Sequence, residues 1–133
     1  ENGKVVFDGI VALAKACLAA GIPVGLGTDT GCPFITHYDM WRELCYFVKF
    51  CGVTPAFALH SATLLNARLA GIDHLTGSVE KGKVADLIVC EKNPLEDLTA
   101  LRKLDMVIKD GWRIDHPAVK KLPQVERELD KFL

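Results

Sequence analysis

The chain lacks any apolar run long enough to cross a bilayer. Its Val, Leu and Ala runs are soon broken by Lys, Asp or Gly, well short of the ~20 residues a membrane helix needs. It also lacks an excess of one charge. Sixteen basic and seventeen acidic residues are interspersed and leave a formal net charge of −1, so no electrostatic case exists for nucleic acid or an anionic membrane as partner. The cysteines are five, an odd number, at positions 17, 32, 45, 51 and 90, and none forms a Cys-x-x-Cys pair. That argues against a disulfide framework and against a structural zinc knuckle. Cys17, Cys45 and Cys51 fall in helical apolar patterns and read as buried thiols, in a reducing, cytoplasmic setting. Internal repeats and low-complexity stretches are lacking as well. The first residues do not show the basic start, apolar stretch and small-residue cleavage site of a secretory signal. Glu1 in place of Met leads to the expectation that the chain begins inside a longer reading frame.

Half of the 133 residues are hydrophobic, enough for one modest core. Phe7, Ile10, Val11, Ala14, Cys17 and Leu18 recur at helical spacing, and Gly21 with Pro23 prevents the helix from continuing. The apolar run at 22–28 then reads as a buried strand. A loop rich in Thr, Gly and Pro leads to a second helix near Asp39, with Met40, Leu44, Phe47, Val48 and Cys51 on one stripe and Gly52 as its stop. Thr54-Pro55 has the form of an N-cap followed by proline at the first helical position, opening a third helix that runs to about Ala70. Beyond Gly71 the pattern turns to short strands, around 78–79, 85–90 and 106–109. Asp110-Gly111 is a two-residue hairpin signal with Trp112-Arg113-Ile114 returning. Asn93-Pro94 opens a turn and a helical piece to Leu104, and the tail from Pro123 has Val125, Leu129 and Phe132 near helical spacing.

Within this pattern Gly27-Thr28-Asp29 carries the most chemistry, because it places a carboxylate where a buried strand opens into a loop. In parallel α/β folds that end of a strand is where active sites are built. Side chains alternate along a strand, so Val24 and Leu26 share one face and Gly25, Gly27 and Asp29 the other. An acid preceded on its own face by two glycines suits a metal or substrate better than a packed core. The competing reading is a helix N-cap or turn aspartate. The layout of helix, strand, helix, helix and small sheet holds one parallel strand, which cannot cover its own edges. Gly25-x-Gly27 lacks the third glycine of a dinucleotide loop.

The segments Gly21–Gly31, Gly52-Val53-Thr54-Pro55, Ala62–Gly71, Gly77–Val89, Asn93-Pro94-Leu95 and Val107–Gly111, taken in order, resemble the C-terminal portion of the metal-dependent amidohydrolase superfamily. The imidazolonepropionase-like and prolidase-like branch is the nearest likeness, over about residues 5–115. The resemblance implies an α/β fold class: the C-terminal part of a (β/α)8 TIM barrel plus the C-terminal strands of a small composite β-domain. Residues 1–75 would be the last barrel segment and 76–133 the small-domain strands and tail. A whole barrel takes ~250 residues, so this chain would be the last third of such an enzyme.

The resemblance also implies roles. Asp29 matches the acid that ligates a divalent metal, zinc most commonly, and shuttles protons to and from the attacking water. A metal lowers the pKa of bound water toward ~7, and a neighbouring carboxylate can accept its proton. The other ligands implied, a His-x-His pair among them, have no counterpart in this sequence. A catalytic zinc wants about three protein ligands, so the piece alone is expected to be inactive and to hold no metal stably. His37, in the loop after Asp29, is a candidate substrate contact, with a plain surface role as the alternative. Thr28 and Thr30 flank the acid and could orient it, and Thr30 is a second substrate-binding candidate. His60 reads as a helix-surface residue, His74 and His116 as loop residues, and Gly77, Gly82 and Asp86 as structural, Asp86 bonding to local backbone. The expected substrate is a small molecule or dipeptide with an amide-type C–N bond, and a homo-oligomer is the expected assembly. Two other classes stand beside the hydrolase. One is an inert folding and association unit that exposes barrel surfaces; the other is a small independent α/β binding domain, which a parallel sheet of three or more strands within the chain would favour.

Overall fold

The molecule, known from a computed structural model that describes residues 2–133, is organised around its second helix. Helix α2 spans Met40–Cys51 and turns Trp41, Leu44 and Phe47 inward. Gly52 ends it, its N–H bonded to the Val48 carbonyl at 3.0 Å. Helix α3 (Pro55–His60) starts as its sequence dictates: the Thr54 side chain accepts from the Phe57 N–H at 3.2 Å and proline fills the first turn. Such a cap is worth about 1 kcal/mol. The same rod continues through a π-helical segment (Ser61–Leu65) into α4 (Asn66–Leu69). Leu44, Phe47, Ala58 and Leu98 make the core, with Leu18, Val24, Leu26 and Val53 packed against it. Each large side chain buried there contributes ~1.5–3 kcal/mol.

Helix α1 spans Asn2–Ala19 and buries no residue. Val11, Ala14, Cys17 and Leu18 are half-buried, and Phe7 meets Phe50 edge-on with ring centroids 4.9 Å apart. Ile10, expected on that packed stripe, is instead 62 % exposed beside Val6 and Leu13. The cysteines at 17, 45 and 51 are half-buried rather than buried.

The expected strand at 22–28 is extended chain without a ladder. Among the described residues no strand pairs with it; only an isolated bridge joins Thr30 and Cys32. A strand exists through hydrogen bonds to neighbours, and here no second strand lies alongside. Asn66 stands in for one: its amide donates to the Leu26 carbonyl at 2.6 Å and its Oδ1 accepts from the Leu26 N–H at 3.0 Å. The alternation survives regardless, with Val24, Leu26 and Thr28 half-buried and Gly25, Gly27 and Asp29 exposed. Gly25 admits the clamp, since a Cβ there would stand 2.5 Å from Asn66 Oδ1 and 2.9 Å from Leu69 Cδ1. Open space beside the acid is therefore Gly27's doing alone.

The second half holds an antiparallel sheet ordered β1 (Leu87–Val89), β2 (Met106–Lys109), β3 (Trp112–Asp115). Asp110 (φ 52°) and Gly111 (φ 82°) form the hairpin turn, both in the left-handed region that a two-residue loop of this hand requires. Residues 78–79 are not a strand, and 85–90 pairs only over β1. The piece after Asn93-Pro94 is a short 3-10 helix, Leu98–Arg102. Asp86 does not bond locally, as expected from sequence, but reaches across to the hairpin. It accepts from the Asp110 N–H at 2.8 Å and from Lys109 Nζ, and those bonds lower its pKa. The sheet is antiparallel, so the parallel sheet that would favour an independent binding domain is not seen among the described residues.

Helix α5 (Pro123–Asp130) returns to α2. Along one stripe of α2 and the residue leading into it, Tyr38 Oη accepts from the Leu122 N–H at 2.9 Å and Arg42 meets Glu126 at 3.1 Å and Asp130 at 2.7 Å. Lys49 Nζ donates to the Phe132 and Leu133 carbonyls, both at 2.9 Å. Arg42 is 2 % exposed, its guanidinium carbon 4.5 Å from the Trp41 ring centroid and its Nε 3.3 Å from Asp39. Arg102 shares Glu126 and Asp130 at 3.1 and 2.9 Å. Burial opposes ionisation of Asp130, but the bonds from Arg42 and Arg102 outweigh it and hold that carboxyl below its usual range.

Candidate functional site

Asp29 sits at the end of the extended segment that Val24 and Leu26 anchor to the core. It is exposed, and its backbone carbonyl accepts from the Cys32 N–H at 3.0 Å, which folds the following loop back. It caps no helix: Asp39 occupies the cap position of α2, and its oxygens receive Trp41 Nε1 at 3.2 Å and the Thr36 hydroxyl. The turn-aspartate reading of Asp29 thus loses its helix-cap form. Thr28 and Thr30 do not hold the acid; their hydroxyls bond each other at 2.7 Å.

A second carboxylate, unremarked in the sequence, belongs to this edge. Glu43, half-buried in the first turn of α2, has its pKa raised, first by burial and then by the negative charge of Asp29. The sequence signal was weak. An acid in the first turn of a helix is ordinarily read as a partner for the helix dipole, and only the fold brings it toward Asp29.

His37 is placed elsewhere. It stacks edge-on against Tyr38 with ring centroids 5.2 Å apart and lines a cavity of about 640 Å³ between α2, the π segment and the sheet. Neither Asp29 nor Thr30 lines that cavity. His60 and His74 are exposed, and His116 Nδ1 lies 3.4 Å from Asp105.

Does this donor set fit a metal? Among the described residues no three His, Cys, Asp or Glu side chains converge as a metal site. Even Asp29 and Glu43 counted together fall short of the about three protein ligands a catalytic zinc takes. The residues present are therefore an incomplete donor set, a wall rather than a centre.

The sequence pattern of the amidohydrolase family matches residues 4–113. The chain belongs to the amidohydrolase family, whose members are generally metal-dependent. Imidazolonepropionase of Geobacillus kaustophilus is 36% identical over 76 residues, covering 57% of this chain and 18% of that protein. Ochratoxinase of Aspergillus niger is 36% identical over 102 residues, 75% of this chain and 20% of that one. The crystal structure of a candidate prolidase from Bifidobacterium longum superimposes with a TM-score of 0.94 at 44% identity, over 98% of this chain and 32% of that chain. This chain thus spans about a fifth of the curated relatives and a third of the solved one. Its fold is that of a piece of the amidohydrolase fold, and its relatives bear the names of hydrolases.

Proposed function

We propose that the chain is the C-terminal segment of a metal-dependent hydrolase that cleaves an amide-type C–N bond in a dipeptide or cyclic amide. Its contribution to the active site is Asp29. The observation that carries this reading is the state of that carboxylate: exposed at the mouth of the extended segment, beside the open space at Gly27, and not used as a helix cap. A carboxylate so placed is free to act on a ligand. In the whole enzyme Asp29 would offer one oxygen to a divalent cation, zinc by family habit, whose other ligands lie outside this sequence. The other Asp29 oxygen would take a proton from the attacking water and deliver it to the leaving nitrogen. The family pattern over residues 4–113 and the hydrolase names of the relatives support the reaction class; the dipeptide reading leans on the B. longum likeness.

The test is Asp29→Asn in the full-length parent, which keeps size and removes the charge. Turnover should fall by at least ~10²-fold, the scale of a lost general base, with the circular dichroism spectrum unchanged. Wild-type turnover in Asp29→Asn would remove Asp29 from the mechanism.

A second reading, an association unit made of unfinished barrel surface, is favoured by α1. An 18-residue helix that buries no side chain and leaves Val5 72 % and Leu13 66 % exposed presents a face for another chain or segment. In that reading the isolated chain forms homo-oligomers. Sedimentation velocity showing a monomer across a wide concentration range would count against it.

A further inference from the structure

The cavity that His37 borders has walls and a rim of different chemistry. Its walls are apolar, with Trp41, Leu44, Leu101 and Val107 among them, and at about 640 Å³ it lies within the ~300–1,000 Å³ typical of small-molecule sites. Apart from the Tyr38 phenol, the ionisable side chains around it are all basic: His37, Arg102, Lys103 and Lys121, with no Asp or Glu in the lining. Lys and Arg number sixteen against seventeen acids in the whole chain, so a rim with Arg102, Lys103 and Lys121 and no acid is a local bias. Arg102 is already engaged by Glu126 and Asp130, and Lys103 Nζ comes within 3.8 Å of Glu91. Lys121 differs. It is half-buried, lies 5.7 Å from the Tyr38 ring centroid, donates to the Arg102 carbonyl at 3.3 Å, and has no carboxylate partner among the described residues. A half-buried cation at the edge of an apolar cavity keeps hydrogen-bonding capacity that an anion could use.

We infer that this cavity is a binding site for an amphipathic monoanion, an aliphatic or aromatic carboxylate whose apolar body lies against Trp41 and whose carboxylate meets Lys121. The site is separate from Asp29, and nothing in it depends on the hydrolase reading. One of its walls is made by Pro117, Ala118 and Val119 on the strap that α5 ties to α2 through Arg42.

Trp41 is the built-in reporter. The other tryptophan, Trp112, is 79 % exposed on the sheet, so Trp112→Phe leaves Trp41 as the sole tryptophan, excited selectively above the tyrosine absorption. Decanoate titrated into the Trp112→Phe chain should change Trp41 emission saturably, and decylammonium of the same length should bind at least ~10-fold more weakly. Lys121→Met, which keeps the side-chain length, should weaken decanoate about tenfold, the scale of one charge-assisted hydrogen bond, and leave decylammonium unchanged or improved. Lys103→Glu supplies a second charge change on an exposed side chain. Circular dichroism checks that each variant is folded. A response absent with decanoate, or equal for the two head groups, or indifferent to both lysine changes, overturns the assignment.

Discussion

Helices α1 and α2 have similar apolar content and opposite fates. Helix α2 buries Trp41, Arg42, Leu44 and Phe47, while the longer α1 buries nothing. The difference lies both in their patterns, α2 gathering its apolar residues on one face and α1 spreading them over two, and in what surrounds them. Helix α2 is covered on several sides by elements of this chain: α1, α3, the 3-10 turn at Leu98–Arg102, and α5. Among the described elements α1 packs chiefly against α2 along one stripe, and it turns Val6, Ile10 and Leu13 to solvent. A helix with apolar residues on two faces needs two neighbours, and this sequence supplies one. The contrast separates a helix covered by other elements of its own chain from a helix whose apolar face is exposed.

The sharpest way to break the contrast is at Arg42. Arg42→Met would leave Asp39, Glu126 and Asp130 as carboxylates gathered around a lost guanidinium. Removing one partner of a buried ion pair costs ~3–5 kcal/mol. Urea denaturation should show a loss of that order, with α5 released first in hydrogen exchange. The pH dependence has a defined sign. Asp130 is held below its ordinary carboxylate value in the folded chain, so the stability it contributes is present above its unfolded pKa and is lost as pH falls through the lower folded value. That acid-limb loss should be shallower in Arg42→Met.

Asn66 comes next. Asn66→Ala removes both hydrogen bonds that hold Leu26, and should cost ~1–3 kcal/mol for buried partners left unsatisfied. The Leu26 amide should exchange faster, and a stability loss without that change would show that the clamp does not hold the segment. In α1, Leu13→Ala should change the stability of the isolated chain by no more than ~0.5 kcal/mol, as at exposed sites generally, while lowering any self-association seen by sedimentation. A large stability loss there would erase the distinction between the two helices.

The smallest effect concerns the site edge. The Glu43 carboxyl is raised by burial and then by Asp29, so the folded state prefers it protonated. Its ionisation therefore weakens the fold as pH rises through the raised pKa, and the penalty is absent below the unfolded value. Glu43→Gln should raise the melting temperature at pH 7 and leave it unchanged at pH 3. An equal shift at both values would mean that packing, not charge, is responsible.

Much of the helical half was legible because its signals are local. Thr54 caps α3 through a bond spanning three residues, Gly52 closes α2 on Val48, and Asp110-Gly111 turns the hairpin. The strand at 22–28 was legible only as alternation. Its apolar residues point inward as expected, but a strand also needs a ladder, and pairing depends on chain far away in sequence. Arg42 was passed over for a related reason. A charge within an amphipathic helix reads as solvated until a distant segment, here Glu126 and Asp130, closes over it.

By itself the sequence determined the helix starts and stops, the hairpin, the inward face of residues 24–28 and the family, since each rests on neighbouring residues or on ordered motifs. Only the tertiary structure decided that α5 locks onto α2, that Asn66 replaces a strand partner, that Glu43 approaches Asp29, and that an apolar cavity ringed by bases lies away from that acid. Those outcomes depend on which residues meet across long stretches of chain. Burial, pairing and charge proximity are properties of such meetings, not of the residues taken singly.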